Sequence, residues 1–448
     1  MKNQKEQITF QCSNCSETFS KWSGECPNCH SWNTLSEVAY TPSRGGSSRS
    51  QGKLNLNLGN IEIANINSLE NKNINERISS SNKAWDNILS GGMTPGQVIL
   101  FSGDPGIGKS TLLLQIVSKI KDLPVLYFSG EETTQQVISR AKRIGNNSNE
   151  IFQTAEFVNL NDVEELESIV LSKNYKIVIV DSIQTISSSQ SSGFPGSVNQ
   201  IRECTLRIAE IAKRNHICFV IVGQVTKEGD IAGPKLLEHL VDTVLYLEGD
   251  RRSDLRILRV IKNRYGNTNE IAFFEMLEDG LRSVDNPSNL IIDRNKNLLE
   301  GSCYSLAMEG NVPIILEVQA LCNKSVFNYP KFVSTGYPLN RLQMLAAIIS
   351  KRTKINLSDQ DIYVNIIGGI KIADPQVDLG ICMAIASSYF KKSIDKNNIY
   401  FGEIGLTGEV RFNKTLKKRE DFSKKNDFYS GHFNKVKSLS EFFRELKT

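Results

Sequence analysis

The chain has 448 residues, 40% of them hydrophobic and 23% charged, which is enough apolar side chain for two or three ordinary cores. That composition excludes a wholly disordered chain, a collagen-like fibre and a small disulfide scaffold. Its 53 basic and 49 acidic residues leave a net charge of only +4, so it is no histone-like coat, and any grip on nucleic acid must come from local patches.

Four of the nine cysteines fall at the start, as Cys12-x-x-Cys15 and Cys26-x-x-Cys29, with ten residues between the pairs. Each pair puts two thiolates on one tight turn, and two such turns complete a tetrahedral sulfur site for Zn²⁺. Gly24 and Pro27 suit the second turn. With all four positions filled by sulfur the metal is structural, and it folds a segment too small to hold itself together. His30 is not counted as a ligand. Cys204, Cys218, Cys303, Cys322 and Cys382 are isolated and read as packing residues. The N-terminus lacks the apolar stretch of a secretory signal, and runs such as Ile217–Val222 are too short to span a bilayer. A soluble cytoplasmic chain without membrane contact is therefore expected. Residues 1–40 are read as a zinc ribbon. Residues 41–75, rich in Ser, Asn and Gly, are read as a linker with at most one weak strand near Leu54–Leu58.

From residue 76 apolar runs alternate with helical patterns. The strands are predicted at Gln97–Phe101, Val125–Ser129, Lys176–Val180, Ile217–Gly223 and Thr243–Leu247. The helices are predicted at Lys109–Ile120, Thr133–Arg143, Val163–Leu171 and Val198–Arg214. Alternation of this kind with near-continuous apolar strands predicts an α/β domain, residues 76–285, whose parallel sheet is covered on both faces. Strands Arg256–Lys262 and Glu270–Glu275 pair around a turn at Tyr265–Gly266–Asn267 and close it. Residues 286–448 predict a separate α+β domain, with strands at Tyr304–Met308, Val312–Ala320 and Ile362–Ile367 and helices at Arg341–Ser350 and Val377–Tyr389.

The first strand runs into Gly103-Asp104-Pro105-Gly106-Ile107-Gly108-Lys109-Ser110, a complete G-x-x-x-x-G-K-S opening a helix. In that context the backbone N–H groups wrap phosphates and Lys109 reaches the β and γ phosphates. Ser110 holds Mg²⁺, and Thr111 lies close by. Asp181 ends the apolar run Val178–Val180 and fits the acidic residue that orients Mg²⁺ and its waters, the alternative being a strand-end cap. The second strand ends Phe128-Ser129-Gly130-Glu131-Glu132. A carboxylate there can polarise a water attacking the γ-phosphate, with Glu131 the first choice and Glu132 the second, although either could cap the next helix. Gln224 ends a further strand and can sense the γ-phosphate. The loops Ser187–Gly196 and Val225–Lys235 follow strand ends and so belong on the same face. Lys227 and Lys235 lie in the second loop and either contact phosphates or are solvated. Lys262 and Arg264, two apart on a strand, share one side and could reach a neighbouring subunit's γ-phosphate; the alternative is a solvated basic pair.

These residues resemble the bacterial RadA (Sms) DNA-repair family. Lys21-Trp22-Ser23-Gly24-Glu25-Cys26-Pro27-Asn28-Cys29 and Trp32-Asn33-Thr34 look like its zinc ribbon. Gly103–Ser110, Ser129–Glu132, Val180–Thr185 and Lys262-Asn263-Arg264-Tyr265-Gly266 look like its ATPase motifs, with Tyr265 for the usual Phe. Gly368–Ile372 and Phe401–Arg411 resemble its C-terminal Lon-protease-like domain, residues 286–448. The resemblance implies a RecA-like P-loop ATPase using ATP and Mg²⁺ and forming a homo-hexameric ring on single-stranded DNA. It implies a helicase that extends branched recombination intermediates by branch migration beside the RecA recombinase. It also implies DNA-binding loops at Ser187–Gly196 and Thr226–Lys235 and trans-acting Lys262 and Arg264. Two departures stand out: Gln224 replaces a common His, and the segment after Arg411 is Lys-rich.

Two other function classes fit parts of the chain. A Lon-type peptidase needs a nucleophilic Ser and an activating Lys. The corresponding stretch, Ala373–Gly380, contains no serine, so no proteolysis is expected even if Lys417 or Lys418 occupies the lysine position. A nucleotide-gated regulatory ring that binds protein is the other alternative; the zinc ribbon with Lys262 and Arg264 favours DNA.

Overall fold

A computed structural model describes residues 7–12, 18–19, 21–28, 31–32, 34–40, 76–144, 152–224, 237–249, 253–326, 329–430 and 438–447. Cys15, Cys29, His30, Lys227, Lys235, the linker and its weak strand lie outside the described residues. The chain forms two compact units, residues 1–72 and 73–448.

The first unit is a three-stranded antiparallel sheet of β1 (Gln7–Cys12), β2 (Thr18–Phe19) and β3 (Leu35–Tyr40), in the order β2-β1-β3. Cys12 ends β1 opposite Leu35, and Cys26 begins a turn whose N–H donates to the Ser31 carbonyl at 2.9 Å. Both thiols are buried, at 1% and 0% exposure.

The second unit opens on a nine-stranded sheet. Its strands are β4 (Val98–Gly103), β5 (Val125–Ser129), β6 (Ala155–Asn159), β7 (Ile177–Asp181), β8 (Cys218–Gln224), β9 (Thr243–Glu248), β10 (Leu255–Asn263), β11 (Ile271–Leu277) and β12 (Gly280–Val284). Their order is β12-β11-β10-β9-β4-β8-β7-β5-β6. From β9 to β6 every pairing is parallel; β9-β10-β11-β12 is an antiparallel extension. Alternation along β4 explains its unbroken apolar run. Ile99 and Phe101 enter one core with Trp85, Leu112 and Ile116, while Val98 and Leu100 enter another with Ile201, Ile208 and Leu166. A sheet buried on both faces needs apolar residues at every position.

Residues beyond the extension build a second sheet from β13 (Ser302–Glu309), β14 (Val312–Lys324), β15 (Phe332–Thr335), β16 (Gln360–Ile366) and β17 (Ile399–Tyr400), ordered β15-β16-β14-β13-β17. Helices Leu339–Arg352 and Asp378–Phe390 bury their apolar residues against it. Leu255, Ile257 and Phe273 of the nine-stranded sheet belong to this same core. The Gly310 turn closes the contact: the Asn311 N–H donates to the Asn269 carbonyl at 3.2 Å, and Arg259 pairs with Glu309 at 2.7 Å.

The stretch Ala373–Gly380 is held by two ion pairs, each with one fully buried member. Asp378, fully buried, accepts from the Ile404 N–H at 3.1 Å, from Arg341 Nε at 3.2 Å and from the Tyr337 hydroxyl. Asp374 pairs with Arg419, which is itself fully buried and receives support from Thr415 Oγ1 at 2.9 Å. The Lys-rich tail folds into helices Leu416–Lys425 and Leu439–Lys447, the second contributing Leu439, Phe442 and Phe443 to the core. No helix among the described residues is long and apolar enough to cross a membrane.

Candidate active site

All the chemistry-bearing residues around the glycine-rich loop sit at one edge of the nine-stranded sheet, where the parallel strands end. Gly103, the last residue of β4, pairs with Gln224, the last of β8, and with Leu247 of β9; Ser129 pairs with Asp181. An open parallel sheet offers its ligand crevice at this edge.

The loop itself requires its glycines. Gly103, Gly106 and Gly108 have φ of 156°, 75° and 112°, conformations that L side chains rarely adopt. A Cβ on Gly103 would stand 2.4 Å from the Leu247 carbonyl, and one on Gly108 would stand 2.7 Å from Met276 Cε. Helix Lys109–Lys119 starts directly after Gly108 and carries no side-chain cap, so its first N–H groups remain available to an anion. Asp104, Pro105, Gly106 and Ile107 form the turn between strand and helix, closed by the Ile107 N–H on the Asp104 carbonyl at 3.3 Å.

Lys109 is 7% exposed and folds back over this turn. Its Nζ donates to the Gly103 and Asp104 carbonyls at 2.8 and 3.0 Å. Burial pushes the ammonium down from its ordinary pKa, opposed by the nearby carboxylates of Asp181, Asp104 and Glu131. A buried ammonium held by two carbonyls at the start of an uncapped helix fits the β and γ phosphates of a nucleotide.

Asp181 faces this ammonium from the end of β7. Burial raises its carboxyl above the usual range, while hydrogen bonds from Tyr127 and Ser110 work against that. The Tyr127 hydroxyl donates to Asp181 Oδ2 at 2.6 Å and fixes the carboxylate's orientation. An oriented carboxylate bonded to the hydroxyl of Ser110 is a donor set suited to Mg²⁺, a hard cation that takes oxygen ligands.

The two candidate bases part company here. Glu131 Oε1 accepts from Ser182 Oγ at 2.5 Å and from Gln224 Nε2 at 3.1 Å, so Glu131, Ser182 and Gln224 converge at the strand ends beside Asp181. Glu132 instead forms an ion pair with Arg140 on the following helix, and its N–H caps onto Ser129 Oγ at 3.1 Å. Gly130 makes the approach possible: a Cβ there would overlap Thr185 Oγ1 at 2.0 Å. Thr111 follows Ser110 in the first turn of the same helix.

Lys262 and Arg264 lie elsewhere. Because β10 runs antiparallel to β9, Lys262 pairs with Val244 and Asn263 with Thr243, at the start of β9 rather than at its end. Gly103 pairs with Leu247, four residues further along, or about 13 Å at ~3.3 Å per residue. Lys262 Nζ donates to the Glu238 and Val241 carbonyls at 2.6 and 2.8 Å. Arg264 pairs with Asp242 at 3.2 Å, its side chain still 54% exposed. Arg264 lies one residue beyond the end of β10, so the two are not neighbours on one strand face; both lie at the edge away from the glycine-rich loop.

Sequence reasoning passed over Tyr127, Ser182 and Arg140. Tyr127 reads as an apolar strand residue, and its register opposite Ile179, two residues before Asp181, is visible only once the strands are paired.

Comparison with known proteins finds similarity over residues 10–37 and 80–286. The KaiC family of ATPases matches residues 80–286, and a rubredoxin metal binding domain matches residues 10–37. The DNA repair protein RadA of Halalkalibacterium halodurans is 43% identical over 409 residues, covering 91% of this chain and 88% of that protein. The DNA repair protein RadA of Bacillus subtilis is 41% identical over 411 residues, covering 91% and 88%. A KaiC-like protein from Pyrococcus horikoshii is 20% identical, with a TM-score of 0.39, covering 47% of this chain and 99% of that one.

Proposed function

Since the chain belongs to the RadA family of bacterial DNA repair proteins, we propose that it is a DNA-dependent ATPase that drives branch migration of recombination intermediates, working as a homo-hexameric ring on single-stranded DNA beside the RecA recombinase in the cytoplasm. The observation that carries this reading is the division of labour across the nine-stranded sheet. The phosphate loop, Asp181, Glu131 and Gln224 occupy one edge, and Lys262 with Arg264 the other.

In this reading the backbone N–H groups of Gly103–Ser110 and the start of the helix hold the triphosphate of ATP. Lys109 leaves the Gly103 and Asp104 carbonyls for the β and γ oxygens. Ser110 and Asp181 hold Mg²⁺, which neutralises charge on the phosphates, and Thr111 lies beside them. Glu131, oriented by Ser182 and Gln224, positions a water in line with the γ-phosphate and accepts its proton. Gln224 thereby reads the γ-phosphate through the same carboxylate. Lys227 and Lys235 contact DNA from the loop that follows Gln224.

ATP turnover with and without single-stranded DNA tests the reading. Wild type should be stimulated by DNA, and Lys109→Ala should be inactive in both conditions. A wild-type rate indifferent to DNA would favour a nucleotide-gated ring that binds protein.

Cys12, Cys15, Cys26 and Cys29 hold a structural zinc. The burial of Cys12 and Cys26 and the tight turn at Cys26 support it. Metal analysis should return one zinc per chain, and none after all four are changed to serine, with ATP affinity kept. Full zinc in that variant would exclude these ligands.

Proteolysis is not expected of residues 286–448. Asp378 stands within the stretch where a peptidase of this kind carries its serine, and its carboxylate is consumed by Arg341, Tyr337 and the Ile404 N–H.

A further inference from the structure

The loop between β7 and helix Val198–Asn215 carries one side chain that neither the fold nor the hydrolysis uses. Phe194 is 87% exposed. Single exposed apolar residues are common; this one differs in how its loop is held.

Gln200, 2% exposed, reaches into the loop from the first turn of the helix. Its Nε2 donates to the carbonyls of Ser191 and Ser188 at 2.6 and 3.2 Å and lies 3.3 Å from that of Gly193. Its Oε1 accepts from the Ser188 N–H at 2.8 Å. Ser188 Oγ donates to Glu164 Oε1 at 2.7 Å, tying the loop to the neighbouring helix. Gly193 and Gly196, with φ of 109° and 83°, bend the chain on either side of Phe194 and Pro195, and the Ser197 N–H closes the turn on the Phe194 carbonyl at 3.0 Å. The backbone on both sides of the ring is thus tied down by hydrogen bonds. The loop leaves the sheet at the edge where the phosphate loop lies, and it is joined to the cleft. Gln184 Nε2 donates to the Gln224 carbonyl at 3.4 Å, and the Gln184 carbonyl abuts Gly196.

What surrounds the ring decides its partner. From Ser187 to Gln200 the loop holds hydroxyls, amides and glycines and no charged residue. A protein interface buries a contiguous apolar patch around its aromatic anchor; here Ser192 and Gly193 flank the ring on one side, and only Pro195 and half-exposed Val198 follow on the other. A lone aromatic face amid small polar groups suits a flat, hydrogen-bonding π-surface. An unpaired nucleobase has that character, whereas a base inside a duplex keeps both faces stacked.

We propose that Phe194 stacks on a base of single-stranded DNA, held out as a platform by the Gln200-pinned loop. This deepens the DNA reading above and rests on it. Equilibrium binding to a labelled oligothymidylate across a salt series tests it in wild type, Phe194→Ala and Phe194→Trp. Loss of the ring should weaken binding about tenfold, the size of one lost base–aromatic stack, and leave the slope of affinity against salt unchanged, since no phosphate contact is lost. Phe194→Trp should keep affinity and show tryptophan quenching on binding. On an oligomer of abasic sites, wild type and Phe194→Ala should bind alike. Equal affinity of wild type and Phe194→Ala for oligothymidylate would overturn the platform while leaving the DNA reading intact. A changed salt slope, or an equal loss on abasic DNA, would also overturn it. Failure of wild type to bind any single strand would instead overturn the parent reading.

Discussion

Arg264→Ala is expected to lower ATP turnover by about 10³–10⁵-fold, the range for an arginine supplied to a phosphoryl-transfer site, with ATP affinity nearly unchanged. The reason is directional. Arg264 sits at the start of β9 and the phosphate loop beyond its end, so a single chain cannot bring them together. A head-to-tail interface sets one subunit's starting edge against the next subunit's finishing edge, and repeated around an axis it closes a ring. On this proposal Arg264 would exchange Asp242 for the neighbour's γ-phosphate, a move its half-exposed side chain allows. Mixing separates this from a structural role. Arg264→Ala and Lys109→Ala should each be inactive alone. In a random 1:1 ring about one interface in four pairs an intact loop with an intact arginine, and turnover should return in proportion. No recovery at any ratio would refute action in trans.

Glu131→Gln should cost about 10²–10⁴-fold in the hydrolysis step, the usual worth of a positioned general base, and should trap bound ATP. The amide keeps the shape and the contact with Ser182 but loses the proton acceptor. Glu132→Gln is the control. Its partner Arg140 is about a third exposed, so the pair contributes about 1 kcal/mol or less, and turnover should change little. Single-turnover hydrolysis of the two variants distinguishes them; a Glu132→Gln enzyme as slow as Glu131→Gln would remove the assignment.

The nucleotide edge was legible because each of its parts is local. A glycine-rich turn between a strand and a helix, and an acid after an apolar run, are patterns within a few residues, and the strand–helix alternation of residues 98–248 follows from burial on both faces. What stayed hidden depends on pairing. Strand Ala155–Asn159 lies at the sheet's margin, and its half-exposed residues carry no apolar run. Helix Leu416–Lys425 is mostly charged and is held by Arg419, a residue whose burial no periodicity announces. The choice between Glu131 and Glu132 turns on Arg140, about two turns into the next helix, and on the close approach allowed by Gly130. The sequence already directs the basic pair to a neighbouring subunit rather than to its own phosphate loop; the distance that separates them follows from the antiparallel sense of β10.

Leu255, Ile257 and Phe273 have a consequence for how such a protein can be taken apart. They are residues of the ATPase sheet, yet the second sheet covers them. At roughly 1.5–3 kcal/mol for each buried side chain of this size, the three together rival the whole net stability of an ordinary domain, ~5–15 kcal/mol. A cut after Val284 would leave the motor with a greasy wound rather than a clean end. Gene fusion or domain exchange at that seam has to carry the covering sheet along.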